Sequence, residues 1–140
     1  LHVPSSSEAE NTKRLIRAAE NPFVHILGHL PGRLLLERES YPVNVQAVID
    51  ACAATGTWVE LNCNPYRLDL DWRHWPYAKS KGVKCVINPD AHRNRHAGFL
   101  RLGGGMARKG WLTKADVTNT LSLLKLRKEL SRKRRPRISE

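Results

Sequence analysis

Two short clusters carry the donor atoms of a metal site: Gly28-His29 and Asn88-Pro89-Asp90-Ala91-His92. Each ends a short, mainly apolar run, Phe23 to Leu27 in the first case and Val83 to Ile87 in the second. Imidazole nitrogen and carboxylate oxygen suit borderline and hard divalent cations. A divalent ion activates bound water and polarises a phosphoryl or carbonyl oxygen, so the chemistry in view is metal-assisted hydrolysis. Asp90 and His92, two residues apart just beyond a strand, can point the same way and share one ion. The plainer reading is that Asp90 caps the next helix and His92 hydrogen-bonds to it. For His29 the plainer reading is a structural strand-end residue; what favours the ligand is that its place matches that of Asp90. Sequence spacing alone gives His2, ahead of the first helix, no such support.

Other polar residues fall where they could serve a pocket. Val59, Leu61 and Cys63 alternate with Trp58, Glu60 and Asn62. If the second set faces a barrel interior, Glu60 must be paired or ligated, because an unpaired buried carboxylate is costly. It could then orient a metal-bound histidine. Arg33 and Arg67 each follow a strand-end turn and could clamp a phosphate bidentately, the alternative being simple solvent exposure. Gly103-Gly104-Gly105 lacks the Lys-Ser/Thr of a P-loop, and there is no G-x-G-x-x-G, so a tight turn or a close backbone approach is the better reading. His25, His74 and His96 have no supporting context, and no Ser-His-Asp set can be assembled.

The elements that must position these residues alternate in type. Ser5-x-x-Glu8 and Ser7-x-x-Glu10 are capping-box spellings ahead of a helix whose inner stripe is Ala9, Thr12, Leu15, Ile16 and Ala19, stopped by Asn21-Pro22. Phe23 to Gly28 reads as a strand and Leu30 to Pro42 as a loop. Val45, Val48, Ile49 and Cys52 mark a second helix, ended by Gly56. Thr57 to Cys63 is the next strand. Asp69 or Asp71 caps a third helix that Pro76 breaks or restarts, and Val83 to Asn88 is the following strand. Thr113-x-x-Asp116 caps a last helical region in which Leu121, Leu124 and Leu130 can bury a side. Strands alternating with helices imply βαβ units and a parallel sheet, with sites at the strands' C-terminal ends.

With 140 residues, 41% of them hydrophobic, the chain has the size of one domain with a core. The expected division is 1–124 as that domain and 125–140 as a basic helix end and tail. No apolar run approaches the ~20 residues of a membrane span. Cys52, Cys63 and Cys85 form no C-x-x-C pair and read as buried thiols of a reducing cytoplasm. The first residue is Leu, which leads us to expect a truncated, processed or fragmentary chain. Of the net charge of +11, +7 lies between Lys125 and Arg137, where eight basic residues face Glu129 alone. Such a stretch, with Arg132, Lys133, Arg134 and Arg135 at its centre, favours DNA or another polyanion by counterion release, unless it is only a solvated helix and tail.

Four segments in order carry a resemblance: His29-Leu30-Pro31-Gly32-Arg33-Leu34-Leu35, the run Val59 to Leu70 with Asn62-Cys63-Asn64-Pro65-Tyr66-Arg67 at its centre, Val86 to His92, and Ala107 to Thr113. Together they resemble the C-terminal half of the polymerase-and-histidinol-phosphatase (PHP) domain, most closely the version found in bacterial X-family DNA polymerases. The resemblance implies an α/β fold, a partial form of the distorted (β/α)7 PHP barrel with parallel strands and its N-terminal strands missing. It also implies divalent metal ions (manganese, zinc or iron) and a phosphoesterase of the 3′–5′ exonuclease or phosphatase type, acting on DNA and serving DNA repair. His29, Asp90 and His92 match family metal ligands, and Leu1-His2-Val3 resembles the strand bearing another, which brings His2 into the set. Asn62, Asn64 and Arg67 would line the pocket, with Glu60 and Arg33. The family's His-x-His pair and its further His and Glu ligands lie upstream of the matching region, so the missing N-terminal part is an expected partner. Leu30 and Pro89 stand where the family more often has other residues. Two other outcomes stay open: a truncated, inactive remnant binding nucleic acid through its tail, and a small-molecule phosphatase similar to histidinol phosphatases.

Overall fold

A computed structural model describes residues 6–133. The architecture is α/β, built on a three-stranded parallel sheet in the order β1 (Ile26–Leu27), β2 (Trp58–Asn62), β3 (Cys85–Asn88). Five α-helices accompany it: α1 (Glu8–Glu20), α2 (Val45–Thr55), α3 (Trp75–Ser80), α4 (Leu100–Lys109) and α5 (Leu123–Lys133). Among the described residues the sheet is open, with no closed barrel. No helix among them is long and apolar enough to cross a membrane.

Local signals explain most boundaries. Ser7 and Glu10 close a reciprocal capping box at the start of α1. Asn44 caps α2, and Gly56 at φ 71° ends it. Asp71 accepts from the Arg73 N–H to open a 3₁₀ turn over Trp72–His74, and Pro76 sits harmlessly in the first turn of α3. Thr113 and Asp116 form the second capping box, although the turn it opens is 3₁₀ and only three residues long. On α1 the inner stripe is displaced: Asn11, not Ala9, is buried, because its side chain donates to the carbonyl of Pro42.

β2 is the centre of the core, buried along its whole length. It pairs with β1 only at Trp58 and Val59, and with β3 from Val59 to Asn62. Beyond Val59 the chain of β1 turns away. Its place is taken by the segment at Asp69 and Leu70, where Leu70 N–H donates to the Glu60 carbonyl at 3.3 Å. The outer edge of β3 is closed by a side chain: the Asn119 amide accepts from Ile87 N–H at 2.7 Å and donates to Ile87 O at 2.9 Å, as a neighbouring strand would.

The glycine run differs from its expectation in part. It lies inside α4 and makes no turn, but the close approach is real: a Cβ on Gly103 would stand 2.4 Å from Ile87 Cγ2 and 2.9 Å from Cys63 Cβ. α5 also differs. Leu124 is 80% exposed. Leu130 turns inward as expected, with Leu126 and Lys133 beside it, and the Lys133 ammonium donates to Ala19 O at 2.7 Å, to Val24 O and to Thr57 Oγ1.

Candidate functional site

The C-terminal ends of the three strands deliver their following residues to one rim. His29 comes two residues after β1, Asn64 two after β2, and Asp90 and His92 two and four after β3. Together with Leu34, Glu37, Tyr66 and Arg67 they line one open cleft of about 570 Å³. His29 and Asp90 share a further property: both take left-handed backbone, at φ 56° and 50°. L-residues rarely adopt that region, and such outliers gather where a side chain must be re-aimed.

Behind the rim stands a buried polar layer on the face of β2 that carries Glu60 and Asn62. The Glu60 carboxylate accepts the backbone N–H of His29 at 2.9 Å through one oxygen and Asn88 Nδ2 at 2.9 Å through the other. Asn62, fully buried, accepts the Asn64 N–H at 3.0 Å through Oδ1. That bond orients its amide so that Nδ2 faces His29 Nδ1 at 3.2 Å. The His29 ring, 53% exposed, lies with Nδ1 3.6 Å from Glu60.

His92 is set differently. Its Nδ1 lies 2.8 Å from the carbonyl of Asp90, which fixes the proton on Nδ1 and leaves the Nε2 lone pair for a ligand. The same contact shows that Asp90 does not receive His92 through its carboxylate.

The two arginines have distinct surroundings. Arg67 pairs with the fully buried Asp69, Nη2 to Oδ2 at 3.0 Å, while still lining the cleft. Burial pushes the Asp69 carboxyl up and Arg67 opposes it. Arg33 lies apart from that cleft lining. Its guanidinium donates to Asp71 at 2.8 Å, to the Arg67 carbonyl at 2.8 Å and to the Leu68 carbonyl, so its donors brace the loop carrying Arg67. Hydrogen bonds from Arg73 first, with Arg33 adding to them, hold Asp71 well below the usual carboxylate range.

His2, Arg134 and Arg135 lie outside the described residues. Arg132 pairs with Glu129 at 2.9 Å, and Lys133 is the internal tether described above, a use that its place in a run of basic residues did not reveal. His25, without context in the sequence, meets the Leu130 carbonyl at 2.8 Å and docks α5. Cysteine chemistry is not on offer: burial pushes the Cys52 thiol up to about 11 and raises Cys63 and Cys85 as well.

The fit to a divalent ion is partial. The donor types and their shared cleft suit one, yet among the described residues no group of three His, Cys, Asp or Glu side chains is disposed to hold it. In the present arrangement Asn62 also directs a donor at His29 Nδ1, so the ring's proton sits on Nε2.

Comparison with known proteins accords with this geometry. No protein-family model matches the chain. It is 40% identical over 111 residues to the DNA polymerase/3′-5′ exonuclease PolX of Bacillus subtilis (strain 168), covering 79% of this chain and 20% of that protein. A probable phosphatase of Thermoanaerobacter sp. (strain X514) is 29% identical over 138 residues, 94% of this chain and 54% of that protein. Another, from Syntrophotalea carbinolica, is 42% identical over 59 residues, 42% of this chain and 22% of its own length. The chain thus spans a fifth of the polymerase and about half of the longer-matched phosphatase. The polymerase carries a PHP domain, and this set of relatives, read with the strand-end residues above, identifies the chain as a PHP-like domain.

Proposed function

We propose that the chain supplies one rim of a metal-dependent phosphoesterase of the 3′–5′ exonuclease or phosphatase type that acts on DNA ends. The observation that carries this reading is the convergence of His29, Asp90, His92 and Arg67 on one cleft. At the level of reaction class it is supported by relatives named as an exonuclease-bearing polymerase and as phosphatases. The sheet would then be one sector of the family's seven-stranded barrel. The three buried free thiols accord with a cytoplasmic setting.

His29, Asp90 and His92 would hold a divalent ion, with His2 as a further donor; bound, the ion would activate water and offset charge on the phosphoryl oxygens. For Nε2 of His29 to serve as a donor atom, its proton would have to move to Nδ1, exchanging the contact with Asn62 for one with Glu60, which lies 3.6 Å away. Arg67, fixed by Asp69, presents cationic N–H groups to a phosphate at the cleft wall. Asn64 and Asn62 keep the connecting turn in place.

Two measurements test the proposal. Manganese should bind the full chain, read by calorimetry, and should promote release of nucleotides from a 3′-labelled oligonucleotide. Asp90→Ala should weaken manganese binding by about tenfold or more and abolish the release. Release unchanged in that variant removes Asp90 from the mechanism.

A second reading is an inactive remnant that binds nucleic acid through its basic tail, to which the basic residues of α5 lend support. It predicts oligonucleotide binding with no manganese-dependent turnover. A small-molecule phosphatase, a reading that a relative named as a probable phosphatase also supports, would hydrolyse p-nitrophenyl phosphate and leave the oligonucleotide intact.

A further inference from the structure

β2 has a second end. Trp58 opens the strand on the same face as Glu60 and Asn62, about 13 Å of extended chain from Asn62. Over Trp58 lies a cavity of about 430 Å³, bounded on one side by the sheet and the turn that follows Thr113 and on the other by α5. That volume is within the range of sites for small ligands, roughly 300–1,000 Å³.

The lining has two characters. Trp58, Val117 and Leu121 make an apolar wall. Facing it, Lys125, Lys128 and Arg132 recur at i, i+3 and i+7 of α5, so that one helical strip carries all three cations. Lys84, just before β3, adds a fourth, with one of its three donors spent on the Ala115 carbonyl at 2.9 Å. The single acid in the lining, Glu129, is paired with Arg132.

α5 is not a loose tail. Lys133 anchors its last turn to Ala19, Val24 and Thr57, and His25 holds the Leu130 carbonyl. The cationic strip is therefore held in place before any ligand arrives, and less ordering entropy opposes binding than on a free tail.

We propose that this groove binds a nucleotide unit, its phosphate on the strip of Lys125, Lys128 and Arg132 and its base against the apolar wall, at a site separate from the cleft of His29 and Asp90. The unit could be a free mononucleotide or one residue of a single strand; both present the same phosphate and planar base.

The test uses the full chain and a fluorescein-labelled single-stranded oligothymidylate, with binding read by anisotropy across a salt series. Lys125→Gln/Lys128→Gln should weaken binding about tenfold and reduce the slope of log affinity against log salt by about 1.4, the value for two lost phosphate contacts. Both lysines are exposed, so the far-UV dichroism of the variant should match the wild type. Arg134→Gln/Arg135→Gln should keep most of the affinity. Displacement of the oligonucleotide by thymidine 5′-monophosphate assigns the free nucleotide as ligand, and binding that resists it assigns the strand. Wild-type affinity and slope in the lysine variant overturn the proposal. So does binding that is confined to phosphatidylserine vesicles, which would make the strip a membrane contact.

Discussion

The backbone N–H of His29 donates to the carboxylate of Glu60 at 2.9 Å, across the gap between the ends of β1 and β2. The other carboxylate oxygen takes Asn88 from β3, so one nearly buried acid ties together the ends of all three strands. Gly28 permits the approach, since a Cβ there would lie 3.3 Å from Glu60 Oε2. Glu60 thus acts on the cleft without lining it.

Glu60→Ala should therefore destabilise the fold by roughly 2–3 kcal/mol, because two part-buried hydrogen bonds to a charged group are lost together. Glu60→Gln should cost less: one amide oxygen still accepts, while the amide NH₂ faces the other donor. Urea unfolding with an unchanged slope measures both. A wild-type midpoint for Glu60→Ala would mean that the carboxylate holds nothing.

The three adjacent glycines of α4 should separate by environment. Gly103→Ala drives a methyl into Ile87 and Cys63 and should destabilise by about 1–3 kcal/mol, the range for overpacked cores. Gly104 and Gly105 would place a Cβ with nothing within 4 Å, so alanine at either should stabilise by about 0.5–1 kcal/mol through the lower entropy of the unfolded chain. Equal effects at all three positions would contradict the close packing of α4 on the sheet.

Period and punctuation carried the elements into view. Apolar spacing marked α1, α2 and the strands, and Ser7, Gly56, Asp71 and Thr113 stand at the ends expected of them. The strand-end positions of His29, Asp90 and His92 were equally legible, since an apolar run followed by donor residues is a local pattern. What stayed hidden depends on tertiary contacts. Nothing local says that Lys133 will turn inward onto three acceptors while Arg132, its neighbour, pairs on the surface. Arg33 and Arg67 look alike in sequence, yet Arg33 is bonded to Asp71 and two carbonyls and only Arg67 reaches the cleft lining. The glycine run offers a turn or a close backbone approach, and only the placing of Cys63 and Ile87 beside Gly103 decides between them.

Asp71 gives the acid behaviour of this region a sign. Its carboxylate accepts Arg73 N–H at 3.0 Å, Arg73 Nε at 2.8 Å and Arg33 Nη1 at 2.8 Å, bonds that favour the ionised form. Its folded-state pKa is therefore depressed below the unfolded value, near 3.9. A depressed carboxylate contributes stability that is complete above the unfolded pKa and is lost as pH falls through the folded one. At neutral pH, Asp71→Asn should be less stable than the wild type by roughly 2 kcal/mol, the scale of a hydrogen bond to a charged group. Below pH ~4 the wild type should lose that advantage, and the two unfolding midpoints should converge. Asp69 shifts the other way, but it is common to both proteins and cancels in the difference. Arg33 would lose its ionic partner and keep only the Arg67 and Leu68 carbonyls, so the loop bearing Arg67 should exchange its amide hydrogens faster in Asp71→Asn at neutral pH. A stability gap that stays constant into acid would show that folding does not depress the Asp71 pKa, and the bracing of Arg67 through Arg33 would fall with it.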